Sequence, residues 1–178
     1  MEAGNMTTSP PMKRRPGRPV PPRVADVRPL DSRGHELVPH TADVGLLACA
    51  GDLVGLFEEA AAAFSELTAD LTENVPSGEC ATESVTLCAH DLISLAFSWL
   101  NELVTVSELR RSAVTGARVE CVDVAAEGAG ARLVATIHLV RFDGVTARRH
   151  TSVKSATFYR LSVRQSESGW RMTAYLDV

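Results

Sequence analysis

Two short acidic stretches carry the residues that are best suited to chemistry. The first is His40-Thr41-Ala42-Asp43, a polar step between a strand-like segment and an apolar one. The second is Asp177-Val178, where an acidic side chain stands beside the carboxylate of the last residue of the sequence. If the fold brings them together, three carboxylates meet, and such hard oxygen ligands suit Ca²⁺ or Mg²⁺. The residues alone also allow Asp43 to be a turn residue and Asp177 to be an exposed residue at a frayed end.

The closing segment favours a fixed position for the second stretch. Residues 170–178 alternate between apolar and polar side chains, as a strand does and a trailing tail does not. A terminus held in a sheet keeps its carboxylate in place, so we interpret Asp43, Asp177 and Val178 as a candidate cation site. His40, on the same polar step, is a further candidate, although hydrogen bonding within the turn is the commoner role for such a histidine.

Lys154 is the third group of interest. It lies in Val153-Lys154-Ser155-Ala156-Thr157, directly ahead of the aromatic residues Phe158 and Tyr159. Its ammonium group could balance a carboxylate cluster or bind a phosphate, whereas an ordinary strand lysine would only face solvent. The sequence contains no Walker motif, GxGxxG, HExxH or GxSxG, and its five histidines are scattered. These residues therefore indicate a cation site without an obvious catalytic nucleophile.

Composition limits the class of protein. With 178 residues and 45% apolar content, the chain fits one globular domain with an appendage. No apolar run approaches the roughly 18 residues of a membrane span, and the N-terminus lacks the apolar centre of a signal peptide. The four cysteines show no metal-ligand spacing, so we expect them to be reduced core residues of a cytoplasmic protein.

Residues 1–34 differ from the rest of the chain. They hold seven basic and three acidic residues, a balance of +4, whereas the remainder holds eleven basic and nineteen acidic residues, a balance of −8. The same stretch contains seven of the nine prolines. We therefore predict a disordered, basic, proline-rich tail over residues 1–34, which makes at most weak contacts with RNA, and a folded domain over residues 35–178.

Periodicity predicts an α+β fold. Helical spacing of apolar side chains predicts one helix over about residues 53–70, capped by Asp52. It predicts a second helix that opens at Asp91, with a buried side that extends from Leu92 to Val106 and includes Trp99. Alternation predicts about seven strands, at residues 36–38, 44–50, 80–87, 114–124, 132–142, 153–163 and 171–176. We expect a two-layer sandwich in which both helices pack on one face of a largely antiparallel or mixed sheet.

Four features, in this order and spacing, resemble the archease family. They are His40-Thr41-Ala42-Asp43 followed by Val44-Gly45, Leu56-Phe57-Glu58-Glu59-Ala60 in the first helix, Asp91-Leu92 leading into Trp99-Leu100-Asn101-Glu102-Leu103, and Val153-Lys154-Ser155-Ala156-Thr157 ahead of Tyr175-Leu176-Asp177-Val178. The resemblance implies a non-catalytic protein that activates RtcB-type RNA ligases in tRNA splicing and RNA repair, by promoting guanylylation and multiple turnover of the ligase. RNA would be contacted indirectly, through the ligase, and no membrane is implied.

The resemblance also implies a metal site and exposes one departure from the family pattern. A divalent metal ion, Ca²⁺ before Mg²⁺ or Mn²⁺, would be held by Asp43, Asp177 and Val178, with Lys154 as a functional neighbour. Archeases usually read Thr-Tyr-His after the lysine segment, whereas this chain has Tyr159 in place of the histidine. A phenol is a poor proton carrier at neutral pH and lacks the metal affinity of imidazole. Two other classes stay open, a metal-dependent phosphoesterase and a chaperone-like protein-interaction module.

Overall fold

A computed structural model of the chain describes residues 33–39, 43–72, 80–125 and 130–178. Residues 1–32 of the predicted tail lie outside this part, and so does His40. The described elements, in chain order, are β1 (Gly34–Pro39), β2 (Asp43–Ala50), α1 (Leu53–Thr68), β3 (Ala69–Leu71), β4 (Cys80–Ala89), α2 (Leu92–Arg110), β5 (Ser112–Val124), β6 (Ala131–Arg141), β7 (Ala147–Arg149), β8 (Ser155–Ser166) and β9 (Gly169–Asp177).

The strands of the described residues form three antiparallel sheets. One has the order β1-β2-β9-β8, the second β4-β6-β5, and the third consists of β3 and β7. Both helices contact strands of the two larger sheets, and one apolar core joins all of these elements. The predicted α+β class is confirmed. The strand number is nine instead of about seven, because β3 and β7 have three residues each and are too short to show an alternating pattern.

Both helices begin at the predicted aspartate caps. The Asp52 carboxylate accepts a hydrogen bond from the N–H of Gly55 at 2.7 Å, and the Asp91 carboxylate accepts one from the N–H of Ser94 at 2.7 Å. Each bond satisfies a backbone donor that the first turn of a helix leaves without an internal partner. The caps therefore fix where the two core helices start.

The two helices end at other residues than the predicted apolar stripes do. α1 ends at Thr68 and not at residue 70, because Ala69 turns extended and begins β3. α2 continues past Val106 to Arg110, where Arg111 takes a left-handed conformation with φ of 50°. The last three residues of α2 are exposed, so the apolar stripe stops before the helix does.

Trp99 is a core residue, as predicted. It is fully buried, its ring meets that of Phe57 edge-on at 6.4 Å, and its indole N–H donates to the Phe57 carbonyl at 3.0 Å. The indole N–H is the only polar group of this side chain, and without this bond it would be buried with no hydrogen-bond acceptor. The helix that carries Trp99, α2, is long and apolar enough to cross a membrane by length and composition, a test that buried core helices also pass.

The prediction of four core cysteines is wrong for three of them. Cys49 is buried, whereas Cys80 and Cys88 are exposed and Cys121 is half-buried. Cys80 and Cys88 occupy outward-facing positions of β4, which is an edge strand of its sheet. Alternation along a strand therefore sends these two thiols to the surface.

Candidate metal centre

Asp43 and Asp177 meet at one end of the four-stranded sheet. β2 begins at Asp43, β9 ends at Asp177, and these two residues are paired across the antiparallel strands. Ser155, the first residue of β8, pairs with Asp177 from the other side. Directly paired residues project from the same face of a sheet, so the side chains of Asp43 and Asp177 are neighbours. The fold thus brings together Asp43 and Asp177, the two aspartates of the predicted cation site.

The buried face of the same strands fixes which way these side chains point. Val44 and Leu176 are the next residues along β2 and β9, and they pair with each other. Leu176 is fully buried, and Val44 packs against the same core. Because side chains alternate between faces, Asp43 and Asp177 must lie on the outer face. A slip of one residue would put the aspartates in the core, so the apolar pattern specifies their position.

Lys154 binds the acidic end through both its main chain and its side chain. Its backbone N–H donates to the Asp177 carbonyl at 2.8 Å. Its Nζ donates to an oxygen of Val178 at 2.9 Å and lies 3.7 Å from Asp177 Oδ1. The lysine ammonium is thus a cation seated beside two of the oxygens that the sequence analysis assigned to a metal ion.

The donors at this end suit a hard divalent cation in kind. Asp43 and Asp177 offer carboxylate oxygens, which Ca²⁺, Mg²⁺ and Mn²⁺ all accept, and the ammonium group of Lys154 shows that a positive charge fits beside Asp177 and Val178. Ca²⁺ takes about six to eight oxygen ligands and Mg²⁺ about six, so water or a partner must complete the shell. Within the described part of the chain, no group of three or more His, Cys, Asp or Glu residues is placed to hold a metal. A cation bound at Asp43, Asp177 and Val178 would therefore have one side open to water or to a partner.

Tyr159 lies in a wide bulge of β8 next to this end. Thr157 pairs with Tyr175 and Ser162 pairs with Thr173, so four residues of β8 between these pairs lie opposite only one residue of β9. Within the bulge, Arg160 adopts a left-handed φ of 54°. This conformation costs a non-glycine residue about 1–2 kcal/mol, and strained bulges are frequent beside functional sites.

The bulge presents two aromatic rings to solvent. Phe158 is 57% exposed and stacks on Phe97 of α2, with ring centroids 3.9 Å apart. Tyr159 is 59% exposed, and its ring lies 5.6 Å from that of Tyr175. We call Phe97, Phe158 and Tyr159 the aromatic ledge. Tyr175 precedes Asp177 by two residues on the same face, so the ledge adjoins the acidic end.

Asn101 holds the start of β8 in place. Its side-chain Oδ1 accepts a hydrogen bond from the N–H of Ala156 at 3.1 Å, and its Nδ2 donates to the Phe97 carbonyl at 3.0 Å. Since β8 is an edge strand, Asn101 serves this N–H in place of a neighbouring strand. Asn101 belongs to the family pattern in the sequence, but no role for it is predicted there. Its signal was an amide side chain inside a helix, a position that asparagine disfavours without a specific partner.

Known proteins are similar to this chain over the whole folded domain. The Archease protein family (MTH1598/TM1083) matches residues 35–178. The chain belongs to the archease family. It is 30% identical to the protein archease of Methanosarcina acetivorans over 150 residues, which cover 84% of this chain and 99% of that protein. It is 28% identical to a protein archease of Saccharolobus islandicus over 146 residues, 82% of this chain and 99% of that protein.

A solved structure extends the likeness to the fold. The solution structure of Methanobacterium thermoautotrophicum protein 1598 aligns with a TM-score of 0.64 and 25% sequence identity. The alignment covers 82% of this chain and 99% of that one. Compared with these archease relatives, the chain carries additional residues, and the family match begins only at residue 35.

Proposed function

We propose that this archease activates an RtcB-type RNA ligase, promoting its guanylylation and repeated turnover without catalysing a step of its own. Membership of the archease family supports the general identity. The observation that carries the finer assignment is the pairing of Asp43 with Asp177 on an outer face, beside Val178. Two side-chain carboxylates leave a divalent cation only partly coordinated, which suits a cation whose shell a partner completes.

In this proposal the acidic end holds the cation and presents it to the ligase. Asp43, Asp177 and Val178 would supply the oxygens, to Ca²⁺ first and to Mg²⁺ or Mn²⁺ as alternatives. When bound, the cation supplies positive charge for oxygen ligands of the ligase or of its nucleotide. Lys154 and Asn101 keep β8 aligned with β9, so the oxygens stay at one place.

Charge supports docking on a basic surface. Residues 35–178 carry nineteen acidic and eleven basic residues. An enzyme that joins RNA ends must bind phosphates, so its cleft is expected to be basic. Opposite charges steer such partners together and raise the association rate.

The aromatic ledge supplies apolar contact area beside the charged end. Exposed aromatic rings are enriched at the centres of protein interfaces, where burial of one ring contributes much of the binding energy. Phe158 is already held flat against Phe97, so it would lose little side-chain freedom on docking. We therefore assign the ledge and the acidic end to one docking surface.

An RNA-joining assay tests the proposal. Limiting RtcB-type ligase is given excess RNA with a 2′,3′-cyclic phosphate and a 5′-hydroxyl, with no addition, the wild-type protein, Asp177→Ala or the control Asp123→Ala. Asp123 is an exposed acid on β5, in the other large sheet. We expect several turnovers with the wild type and the control, and loss of turnover with Asp177→Ala. Circular dichroism checks that both variants fold.

Other outcomes would redirect the assignment. A wild-type protein that leaves the ligase at its basal turnover overturns the activator proposal. Hydrolysis of a phosphate ester by the protein alone, abolished in Asp177→Ala, would instead support the phosphoesterase. Loss of folding in Asp177→Ala, or on chelation, would support a structural cation in a protein-interaction module.

A further inference from the structure

We propose that Lys154 competes with the divalent cation for the oxygens of the acidic end, and that cation binding releases its ammonium group. The inference rests on the proposed function for the presence of a cation at this site, and it adds what determines the affinity. Release of the ammonium group would make the metal-free and metal-bound forms differ in the position of the Lys154 side chain, which a partner could contact in only one of them.

The distances place the two cations in conflict. Lys154 Nζ lies 2.9 Å from the Val178 oxygen and 3.7 Å from Asp177 Oδ1. A Ca²⁺ ion bound to the same oxygens would stand about 2.3–2.6 Å from each of them. The two positive charges would then be within about 5 Å of one another, where they repel strongly outside bulk water. One of them must leave.

Lys154 is built to be the one that leaves. Its side chain is 67% exposed. Its backbone is held independently, by the bond from its N–H to the Asp177 carbonyl at 2.8 Å. The ammonium can therefore swing into solvent by rotation of the side chain alone, while β8 and β9 keep their register.

The choice of lysine fits a displaceable cation. Residues 35–178 contain ten arginines but a single lysine, which is Lys154. Arginine binds a carboxylate through two parallel hydrogen bonds, whereas the lysine ammonium acts as a point charge on a flexible stem. A lysine is thus easier to displace than an arginine would be. Replacing Lys154 by arginine or by an uncharged residue should therefore change Ca²⁺ affinity in opposite directions.

Calorimetric titration of the purified full chain with CaCl₂ alone provides that test. We compare the wild type with Lys154→Met, Lys154→Arg and the control Arg164→Met, which removes an equal charge farther along β8. We expect Lys154→Met to bind Ca²⁺ about three- to tenfold more tightly, because a competing ion pair and a repulsive charge are both gone. Lys154→Arg should bind several-fold more weakly than the wild type, and Arg164→Met should stay close to it.

Chemical labelling gives a second readout. The chain has only two lysines, so Lys13 serves as an internal reference for acylation of Lys154, measured by mass spectrometry. Added Ca²⁺ should speed the labelling of Lys154 relative to Lys13 in the wild type but not in Asp177→Asn. Acceleration of both lysines alike would overturn the release of Lys154.

The titration separates this inference from the proposed cation site. Ca²⁺ binding that is unchanged or weakened in Lys154→Met overturns the competition but leaves the site intact. Binding by Lys154→Met where the wild type shows none supports competition in its strongest form. Failure of every variant to bind overturns the site itself, and the inference with it. Because Lys154 is largely exposed, its variants should fold, and circular dichroism checks this.

Discussion

Replacing Asn101 with alanine tests how the start of β8 is held against α2. In the wild-type protein the Asn101 side chain accepts from the Ala156 N–H at 3.1 Å and donates to the Phe97 carbonyl at 3.0 Å. Ala156 itself is almost fully buried. The substitution therefore leaves a backbone donor without its partner in a place that water reaches poorly.

The size of the effect follows from three contributions. An unpaired donor of this kind costs about 1–3 kcal/mol. Loss of the bond to the Phe97 carbonyl costs little, since that carbonyl also lies inside a helix and accepts there. Alanine stabilises the helix by about 0.6 kcal/mol relative to asparagine, because its helix propensity is higher. We expect Asn101→Ala to lower the free energy of unfolding by about 1–2 kcal/mol, a sizeable part of the roughly 5–15 kcal/mol of an ordinary domain.

Urea denaturation and amide hydrogen exchange measure the effect. The midpoint should fall with an unchanged m-value, and the Ala156 amide should exchange faster than amides of β5 and β6. Thr105→Ala is a matched control on the same helix, because the Thr105 hydroxyl only donates to the Asn101 carbonyl at an exposed position. Its effect should stay within about 0.5 kcal/mol.

Two results would refute this reasoning. One is a change below about 0.5 kcal/mol in Asn101→Ala, which would mean that Ala156 finds another partner at no cost. The other is loss of stability with unchanged exchange at Ala156, which would place the damage in α2 and not in the junction with β8. Either result would also weaken the view that Asn101 keeps Lys154 in register with Asp177.

Three further predictions concern other parts of the chain. Gly169→Ala should lower the free energy of unfolding, measured in urea, by more than about 2 kcal/mol. The reason is that φ at Gly169 is +120° and a Cβ there would overlap a carbonyl oxygen of β2. Gly51→Ala is the control and should change the free energy of unfolding little, because nothing lies near the position of its Cβ. The Asp143 carboxylate accepts from the Val145 N–H and two neighbouring backbone donors, which lowers its pKa to about 2 from an ordinary 3.8. Its stabilising contribution should thus be present above pH 3.8 and disappear as the pH falls from there towards 2, and acid denaturation of Asp143→Ala should lack this component. Phe158→Ala should weaken binding to the ligase by about tenfold or more in a pull-down titration without changing Ca²⁺ affinity, and unchanged ligase binding would exclude the ledge from the docking surface.

The features that could be predicted from sequence are local or periodic. Asp52 and Asp91 are recognisable as helix caps because the signal lies within one turn of each residue. Trp99 was placed in the core because it falls on an apolar stripe with helical spacing. The alternation of the last nine residues indicated a terminal strand, which put Asp177 at a defined position.

The features that could not be predicted depend on residues far apart in the chain. Asn101 and Ala156 are 55 positions apart, and nothing near either residue indicates the other. The bulge that exposes Tyr159 interrupts a stretch whose alternation predicts one continuous strand. The pairing of Asp43 with Asp177 was only a possibility until the strand order β2-β9-β8 placed both residues at one end of a sheet.

The bulge in β8 also bears on solubility. A long, flat edge strand offers unpaired backbone groups to other chains and invites aggregation. In β8 the Ala156 N–H is taken by Asn101, and the following residues leave the line of the strand before pairing resumes at Ser162. Another strand therefore finds no continuous backbone to join between Ala156 and Ser162. The protein can display exposed aromatic rings in this part of the edge for recognition by side-chain contact, while sheet extension there by a partner or by a second copy is hindered.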